Sequence, residues 1–311
     1  MRILFFGTSA FGIPSLERLV AAGEHVLVCV TQPDRPQGRG LAQHPSPIKT
    51  AARQLGVPVE EPEDLHAALP RFRELNADVG VVIAYGRLIP PALLQVPPQG
   101  MLGVHPSWLP KYRGASPMVG ALLNAEPTTG VTVFRLDARL DAGDMAKRRA
   151  VPIAPRETAE TLSARLSVFG AALLLETLTE LAAGTTTWTP QDERQATHAP
   201  KLTKADGRID WRTDAVAIDR RVRALNPWPG TSTQWRGAPL KICSASFQDA
   251  PGLRGRPGEI LSASADGLLV ATGKGQLKID ELQAAGKRRM SVRKFLAGHP
   301  MKIGECLGGE P

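Results

Sequence analysis

His105 ends a short apolar run, Met101-Leu102-Gly103-Val104-His105, and opens into a loop punctuated by Pro106, Pro110 and Pro117. Imidazole titrates near neutral pH, so a histidine at a strand end is well placed for acid–base work. A lone histidine serves as readily in packing. Thirty-six residues on, Leu140-Asp141-Ala142-Gly143-Asp144 puts two carboxylates into a glycine-containing turn. A carboxylate beside a histidine orients the ring and stabilises its cationic form. Taken by itself, such a run is equally an ordinary turn.

The elements that must position these residues alternate between strand and helix. Arg2–Phe6, His25–Thr31, Val79–Ala84 and Met101–His105 are short apolar runs, and a further strand over Val131–Arg135 precedes the aspartate turn. Helical patterns over Ile13–Ala22 and Thr158–Ala183 lie between or after them. Continuous apolar strands separated by helices predict a parallel sheet covered on both faces, an α/β, Rossmann-like domain. Ligands of such sheets bind outside the carboxyl ends of the strands, where His105 falls. The first turn, Gly7-Thr8-Ser9-Ala10-Phe11-Gly12, lacks dinucleotide-fingerprint spacing, and no acidic residue closes the second strand.

The texture changes after the polar, Thr- and Pro-rich stretch Gly184–Pro200. Short β-rich runs follow (Thr231–Trp235, Leu240–Ala245, Glu259–Ser262, Leu268–Ala271, Gln276–Leu282), broken by Gly, Pro and Asp, a spacing that predicts a small barrel. The expected division is a domain over 1–188, a linker over 189–205 and a second domain over 206–311. Charge follows it. Residues 1–199 hold 19 Lys+Arg and 19 Asp+Glu, whereas residues 200–311 hold 19 and 11 and carry the whole net charge of +8. A neutral domain joined to a basic one points to chemistry in the first and a polyanion on the second.

Hydrophobic residues make up 42% of 311, with no uninterrupted apolar run of about 18 residues. The apolar start, Ile3–Phe6, is too short for a signal peptide and suits a strand. The three cysteines, Cys29, Cys243 and Cys306, are odd in number and far apart, which disfavours a disulfide framework or zinc cluster. Cys29 reads as core, no membrane is expected, and the cytoplasm is the default location.

Taken together, His-x-Ser-x-Leu-Pro from His105 and Leu-Asp-x-Gly around Asp141 resemble the folate-dependent formyltransferase signature. The likeness extends to Thr31-Gln32-Pro33-Asp34-Arg35-Pro36, Gly38-Arg39-Gly40, Ala84-Tyr85-Gly86, Arg113-Gly114-Ala115-Ser116-Pro117, Gly130-Val131-Thr132 and Asn226-Pro227-Trp228-Pro229. Those segments resemble the methionyl-tRNA formyltransferases and span both domains; the last lies in a C-terminal domain that simpler members lack.

The resemblance implies a formyltransferase domain followed by an OB-like β-barrel that binds tRNA. It implies 10-formyltetrahydrofolate as co-substrate, initiator methionyl-tRNA as partner, no metal, and a monomer. His105 would donate to the oxyanion or the leaving nitrogen, and Asp141 would hold His105. Folate would lie near Tyr85, Gly86, Leu88, Ile89, Ser107, Pro110 and Asp144, largely on backbone groups. tRNA would meet Arg35, Arg39 and Lys49 in the first domain and Arg220, Arg221 and Arg223 in the second. Of the tryptophans in the basic domain, Trp228, flanked by prolines, is expected in the core.

One position departs from the family. Gly103 stands where the family has an asparagine whose amide donates to the developing oxyanion; losing one such donor costs about 10²–10³ in rate. A glycine there is explained by a positive φ, by Trp108 leaning into the space, or by an impaired enzyme. Two alternatives keep their place: formylation of another amine, such as a nucleotide-linked amino sugar, and a non-catalytic RNA-binding relative.

Overall fold

A computed structural model describes residues 1–37, 42–249, 252 and 254–308. The chain divides into two compact units. The first holds Met1–Pro117, Pro127–Pro152 and Leu162–Pro200; the second holds Met118–Glu126, Ile153–Thr161 and Lys201–Pro311.

In the first unit the chain runs through β1 (Arg2–Gly7), α1 (Ile13–Ala21), β2 (His25–Val30), the hairpin β3 (Arg35–Gln37) and β4 (Ala42–His44), α2 (Pro47–Gln54) and β5 (Val59–Glu60). It continues through α3 (Leu69–Glu74), β6 (Val79–Ile83), α4 (Pro91–Leu94) and β7 (Met101–His105). After α5 (Pro117–Leu123), which from Met118 on counts with the second unit, come β8 (Thr128–Arg135), β9 (Met145–Pro152) and α6 (Ala159–Ala182), which from Leu162 on counts with the first.

Among the described residues the main sheet has the order β5-β2-β1-β6-β7-β8-β9. Its first five strands pair in parallel, but β8 runs antiparallel to β7 and to β9. The expected all-parallel sheet is therefore a mixed one. For β8 and β9 the cause is the short Leu136–Asp144 connection, too short for the crossover that a parallel pair needs; between β7 and β8 the chain passes through α5 over residues 106–127 and still returns antiparallel.

The strands are apolar because the sheet is covered. Ile3, Leu4, Phe5 and Phe6 of β1 are all fully buried, as is Cys29 of β2; burial pushes the Cys29 thiol up to about 12. By length and composition alone α6 could cross a membrane, yet half of its most apolar window is buried in the protein, as in a core helix. Gly170 lets it approach closely: a Cβ there would lie 2.8 Å from Val104 Cγ1.

The second unit contains α7 (Ala215–Leu225), β10 (Thr231–Trp235), β11 (Ala238–Gln248), β12 (Ile260–Ser264), β13 (Gly267–Ala271), β14 (Gln276–Ala284), β15 (Met290–Ser291) and α8 (Val292–Gly298). The antiparallel order is β10-β11-β14-β13-β12, with β15 beside β14. The C-terminal stretch bonds to both ends of this order. Ile260 N–H donates to Glu305 O and Leu307 N–H to Gly258 O beside β12, while Gly308 N–H donates to Gln234 O of β10. Unpaired edges expose backbone groups, and this stretch covers both. Ile242, Ile260, Leu268, Leu277, Ile279 and Phe295 fill the interior. Trp211 is buried there, but Trp228 is 54% exposed, contrary to the expectation that its prolines would hold it in the core. The prolines fix the backbone of this loop; they do not supply a partner for the ring.

Candidate active site

The register that pairs Val82 with Gly103 sets the ends of β6 and β7 side by side. His105 closes β7 with its ring buried and its edge toward Phe134. Nε2 lies 2.9 Å from the Tyr112 carbonyl oxygen. A carbonyl only accepts, so the proton sits on Nε2. Nδ1 faces Asp141 Oδ2 at 3.6 Å. Both ring nitrogens thus face oxygen acceptors, and an imidazolium formed here would be held at both ends.

Asp141 is presented by a turn with a backbone φ of 51°. Left-handed backbone costs a side-chain-bearing residue about 1–2 kcal/mol, and the surroundings must over-determine it. They do so from two sides. Asp141 Oδ2 accepts from Gly114 N–H at 2.8 Å, and its carbonyl accepts from Gln191 Nε2 at 2.9 Å. Gly143 closes the turn because a Cβ there would lie 1.8 Å from the Arg135 carbonyl oxygen. Asp144 is exposed, and its carbonyl accepts from Arg135 N–H.

Gly103 is buried, and its φ is not positive. A Cβ at this position would meet Phe134 Cε1 at 2.4 Å, Phe134 Cζ at 2.7 Å and Leu136 Cδ1 at 2.8 Å. The space is filled by Phe134 from the neighbouring antiparallel strand. Trp108 stands elsewhere, with the Arg148 guanidinium 4.4 Å above its ring.

The residues expected around folate divide into two groups. Gly86, with φ of 78°, and Leu88, 79% exposed, form an open loop after β6. Ile89 packs against the core beside Tyr85. The Tyr85 side chain is buried edge-on to Phe6; its carbonyl accepts from Thr8 Oγ1 at 2.8 Å and Gln32 Nε2 at 2.7 Å. Ser107 is buried with its hydroxyl donating to Lys111 O, and Pro110 is buried. Tyr85, Ser107 and Pro110 are buried as whole residues, so of the residues expected around folate Gly86, Leu88 and Asp144 are the exposed ones.

The basic residues need correction. Lys49, expected to meet tRNA, is 5% exposed and pairs with Asp34 Oδ2 at 2.7 Å and Glu61 Oε2 at 2.6 Å. Ser46 caps α2, and the first turn faces Lys49 inward. The two carboxylates hold its ammonium above the usual lysine range, and Lys49 holds the Asp34 carboxyl below the usual carboxylate range. Arg221 donates to Asp206 O. Arg223 pairs with Asp219 at 3.2 Å and donates to Glu157 O. These two are structural cations rather than free contacts; Arg220 is half-buried. Arg39 lies outside the described residues, and of Arg35 only the backbone is described.

Two features went unread in the sequence. In the second unit, Lys204, Arg208, Arg212 and Arg256 rim a groove of about 1160 Å³ floored by Trp211 and Leu307. Arg212 is paired with Asp210, and Lys204 and Arg208 are exposed. In the first unit, residues 191–199 bind the His105 loop. Tyr112 N–H donates to Thr197 Oγ1 at 2.8 Å, and Arg113 exchanges backbone hydrogen bonds with Thr197 and Ala199. A polar, proline-rich run gives no periodic signal for such an extended brace.

The sheet is a mixed one whose strand-end histidine faces an aspartate from the next hairpin, and the chain belongs to the formyl transferase family. The family's characteristic sequence matches residues 1–178, and that of its C-terminal domain matches residues 201–300. Among its relatives are the methionyl-tRNA formyltransferases of Geobacter metallireducens, 43% identical over 310 residues and 99% of each chain, and of Trichlorobacter lovleyi, 44% identical over 98% of this chain and 96% of that one. That of Solibacter usitatus is 45% identical over 99% of each. In structure the chain is similar to HypX from Aquifex aeolicus in complex with tetrahydrofolic acid, with a TM-score of 0.69 at 20% identity over all of this chain and 51% of that one. It is also similar to WlaRD, a sugar 3N-formyl transferase, at 0.66 and 16% over 93% and 99%. These last two likenesses are of fold.

Proposed function

We propose that the chain transfers the formyl group of 10-formyltetrahydrofolate to the α-amine of methionine on initiator tRNA, releasing tetrahydrofolate. What carries this reading is identity of 43–45% along nearly the whole chain to methionyl-tRNA formyltransferases. The alternative, an amino-sugar acceptor, is matched by fold likeness alone at 16% identity.

10-Formyltetrahydrofolate supplies the formyl carbon, to which the amine nitrogen bonds as the bond to the folate nitrogen breaks. His105 donates its Nε2 proton to the developing oxyanion or to the leaving nitrogen; the Tyr112 carbonyl holds that proton until substrate displaces it. Asp141 keeps the ring oriented and receives the amine proton through a water. The buried position of the ring strengthens each of these interactions by excluding bulk solvent. Folate lies on backbone groups of the loop after β6 and of the loop leading to Asp144. The open glycine-bearing backbone at Gly86 supports recognition through the main chain.

Residues 1–188 carry the chemistry, 189–205 connect, and 206–311 hold the tRNA; Lys204, at the end of the connector, and Arg208 join Arg220 as contacts. The enzyme works as a monomer in the cytoplasm, where charged tRNA is found. His105→Ala and Asp141→Asn each lower kcat for formyl-methionyl-tRNA by at least about 10²-fold while the melting temperature holds, the usual size of an acid–base contribution. Near-normal turnover in either folded variant removes that residue from the mechanism.

A further inference from the structure

His105 ends strand β7 and Asp141 lies in the turn after β8. The contact between them depends on a third segment. Gln191 is 9% exposed, and its Nε2 donates to two carbonyls of the aspartate turn, Asp141 O at 2.9 Å and Gly143 O at 2.8 Å. Its Oε1 accepts from Arg113 Nε at 3.0 Å. Arg113 is itself buried, 4% exposed, and its two terminal nitrogens donate to Glu193 Oε2 at 2.8 Å and Oε1 at 3.1 Å. The residue after Arg113 is Gly114, whose N–H donates to Asp141 Oδ2. One carboxamide thus ties the turn that presents Asp141 to the segment that carries the second partner of the Asp141 carboxylate.

We propose that Gln191 is a positioning residue for formyl transfer, acting through Asp141; the assignment rests on the reading of His105 and Asp141 as the reacting pair. The two N–H groups of the carboxamide hold both carbonyls that flank Ala142, which keeps Asp141 in its left-handed conformation with Oδ2 toward His105 Nδ1. Arg113 fixes the carboxamide the right way round, since a guanidinium only donates and so selects Oε1. Glu193 compensates the buried guanidinium. Loss of the carboxamide frees the turn to relax, and Oδ2 withdraws from the ring. A misplacement of about 1 Å in a reacting constellation costs about 10²-fold in rate.

The test is a double-mutant cycle on the full chain with 10-formyltetrahydrofolate and methionyl initiator tRNA. Gln191→Met keeps the volume and removes the hydrogen bonds. It lowers kcat about 10²-fold and leaves both Michaelis constants within about twofold, because binding is untouched. In the Asp141→Asn background the same change lowers kcat by less than about twofold, since the group it positions no longer acts. Gln195→Ala, on the same segment but exposed and bonded only to Asp192, leaves kcat at the wild-type value. If Gln191→Met does not fold, Gln191→Glu carries the test: it keeps the length and the acceptor for Arg113 but turns an oxygen toward the two carbonyls. Wild-type kcat in Gln191→Met or Gln191→Glu, losses that multiply with Asp141→Asn, or a loss confined to the Michaelis constants overturns the proposal. Absence of transfer by the wild-type chain, or an active Asp141→Asn, overturns the underlying reading instead.

Discussion

Phe134 occupies the volume into which any side chain at position 103 would grow, its Cε1 lying 2.4 Å from where a Cβ on Gly103 would stand. The two residues are register partners on β7 and β8, so the glycine and the aromatic ring fill one space between them. Phe134 also meets the His105 ring edge-on at a centroid distance of 6.4 Å. On the reading that Gly103 stands where the family has an asparagine, the departure is a packing exchange between positions 103 and 134.

Gly103→Asn alone destabilises the chain by about 1–3 kcal/mol, the usual cost of overpacking a core, and kcat does not rise. Paired with Phe134→Leu, which removes the two ring atoms nearest the new Cβ, the asparagine needs only the flexible end of Leu136, whose Cδ1 would lie at 2.8 Å, to give way. The double variant melts within a few degrees of wild type, and its kcat rises by about 10-fold or more as the oxyanion gains a donor. Melting curves and kcat for the single and double variants check this. A stable single variant, or a stable double variant with unchanged kcat, contradicts the exchange.

The placement of His105 and Asp141 is legible in the sequence because strand ends and glycine turns leave local marks: β7 spans the expected Met101–His105, and Asp141 lies in the expected turn. The antiparallel end of the sheet is not legible because the apolar pattern of Val131–Arg135 says nothing of direction; the short Leu136–Asp144 connection marks only the β8–β9 pair, and the long connection through α5 suits either direction for β8. Lys49 was misread for a similar reason. A lysine in a proline-rich stretch looks solvated, and Asp34 and Glu61, which bury it, come from separate elements. The Gln191 brace leaves no periodic mark at all, since its partners are backbone carbonyls 48 and 50 residues away.

The two kinds of cation predict opposite phenotypes. Lys49→Met leaves Asp34 and Glu61 facing each other without a counter-charge, so the melting temperature falls, while tRNA affinity of the folded fraction and its salt dependence stay as in wild type. Lys204→Ala and Arg208→Ala leave melting unchanged and weaken tRNA binding. Each also lowers the slope of log affinity against log salt by about 1, as expected for one lost phosphate contact. Filter-binding titrations across salt concentrations decide; a lower slope for Lys49→Met, or none for the groove variants, contradicts the assignment.

Glu193 gives a pH signature. Its carboxyl lies below the usual carboxylate range, chiefly because Arg113 donates to it. A carboxyl with a lowered folded pKa contributes stability above its unfolded value, about 4.3, and loses it as pH falls through the folded value. The stability gap between wild type and Glu193→Gln, measured by urea unfolding, is thus constant from pH 7 to about pH 5 and closes below about pH 4. A gap that stays open at low pH assigns the effect to packing instead of charge.

The reaction itself is tested most directly by a single-turnover competition. Enzyme in excess is mixed with labelled 10-formyltetrahydrofolate, methionyl initiator tRNA and a nucleotide-linked amino sugar, and label in each acceptor is followed in time. The account predicts one exponential transfer to the methionine α-amine of the tRNA, abolished by His105→Ala, with the amino sugar unlabelled. Label on the amino sugar with the tRNA untouched, or transfer to tRNA that survives His105→Ala, contradicts it.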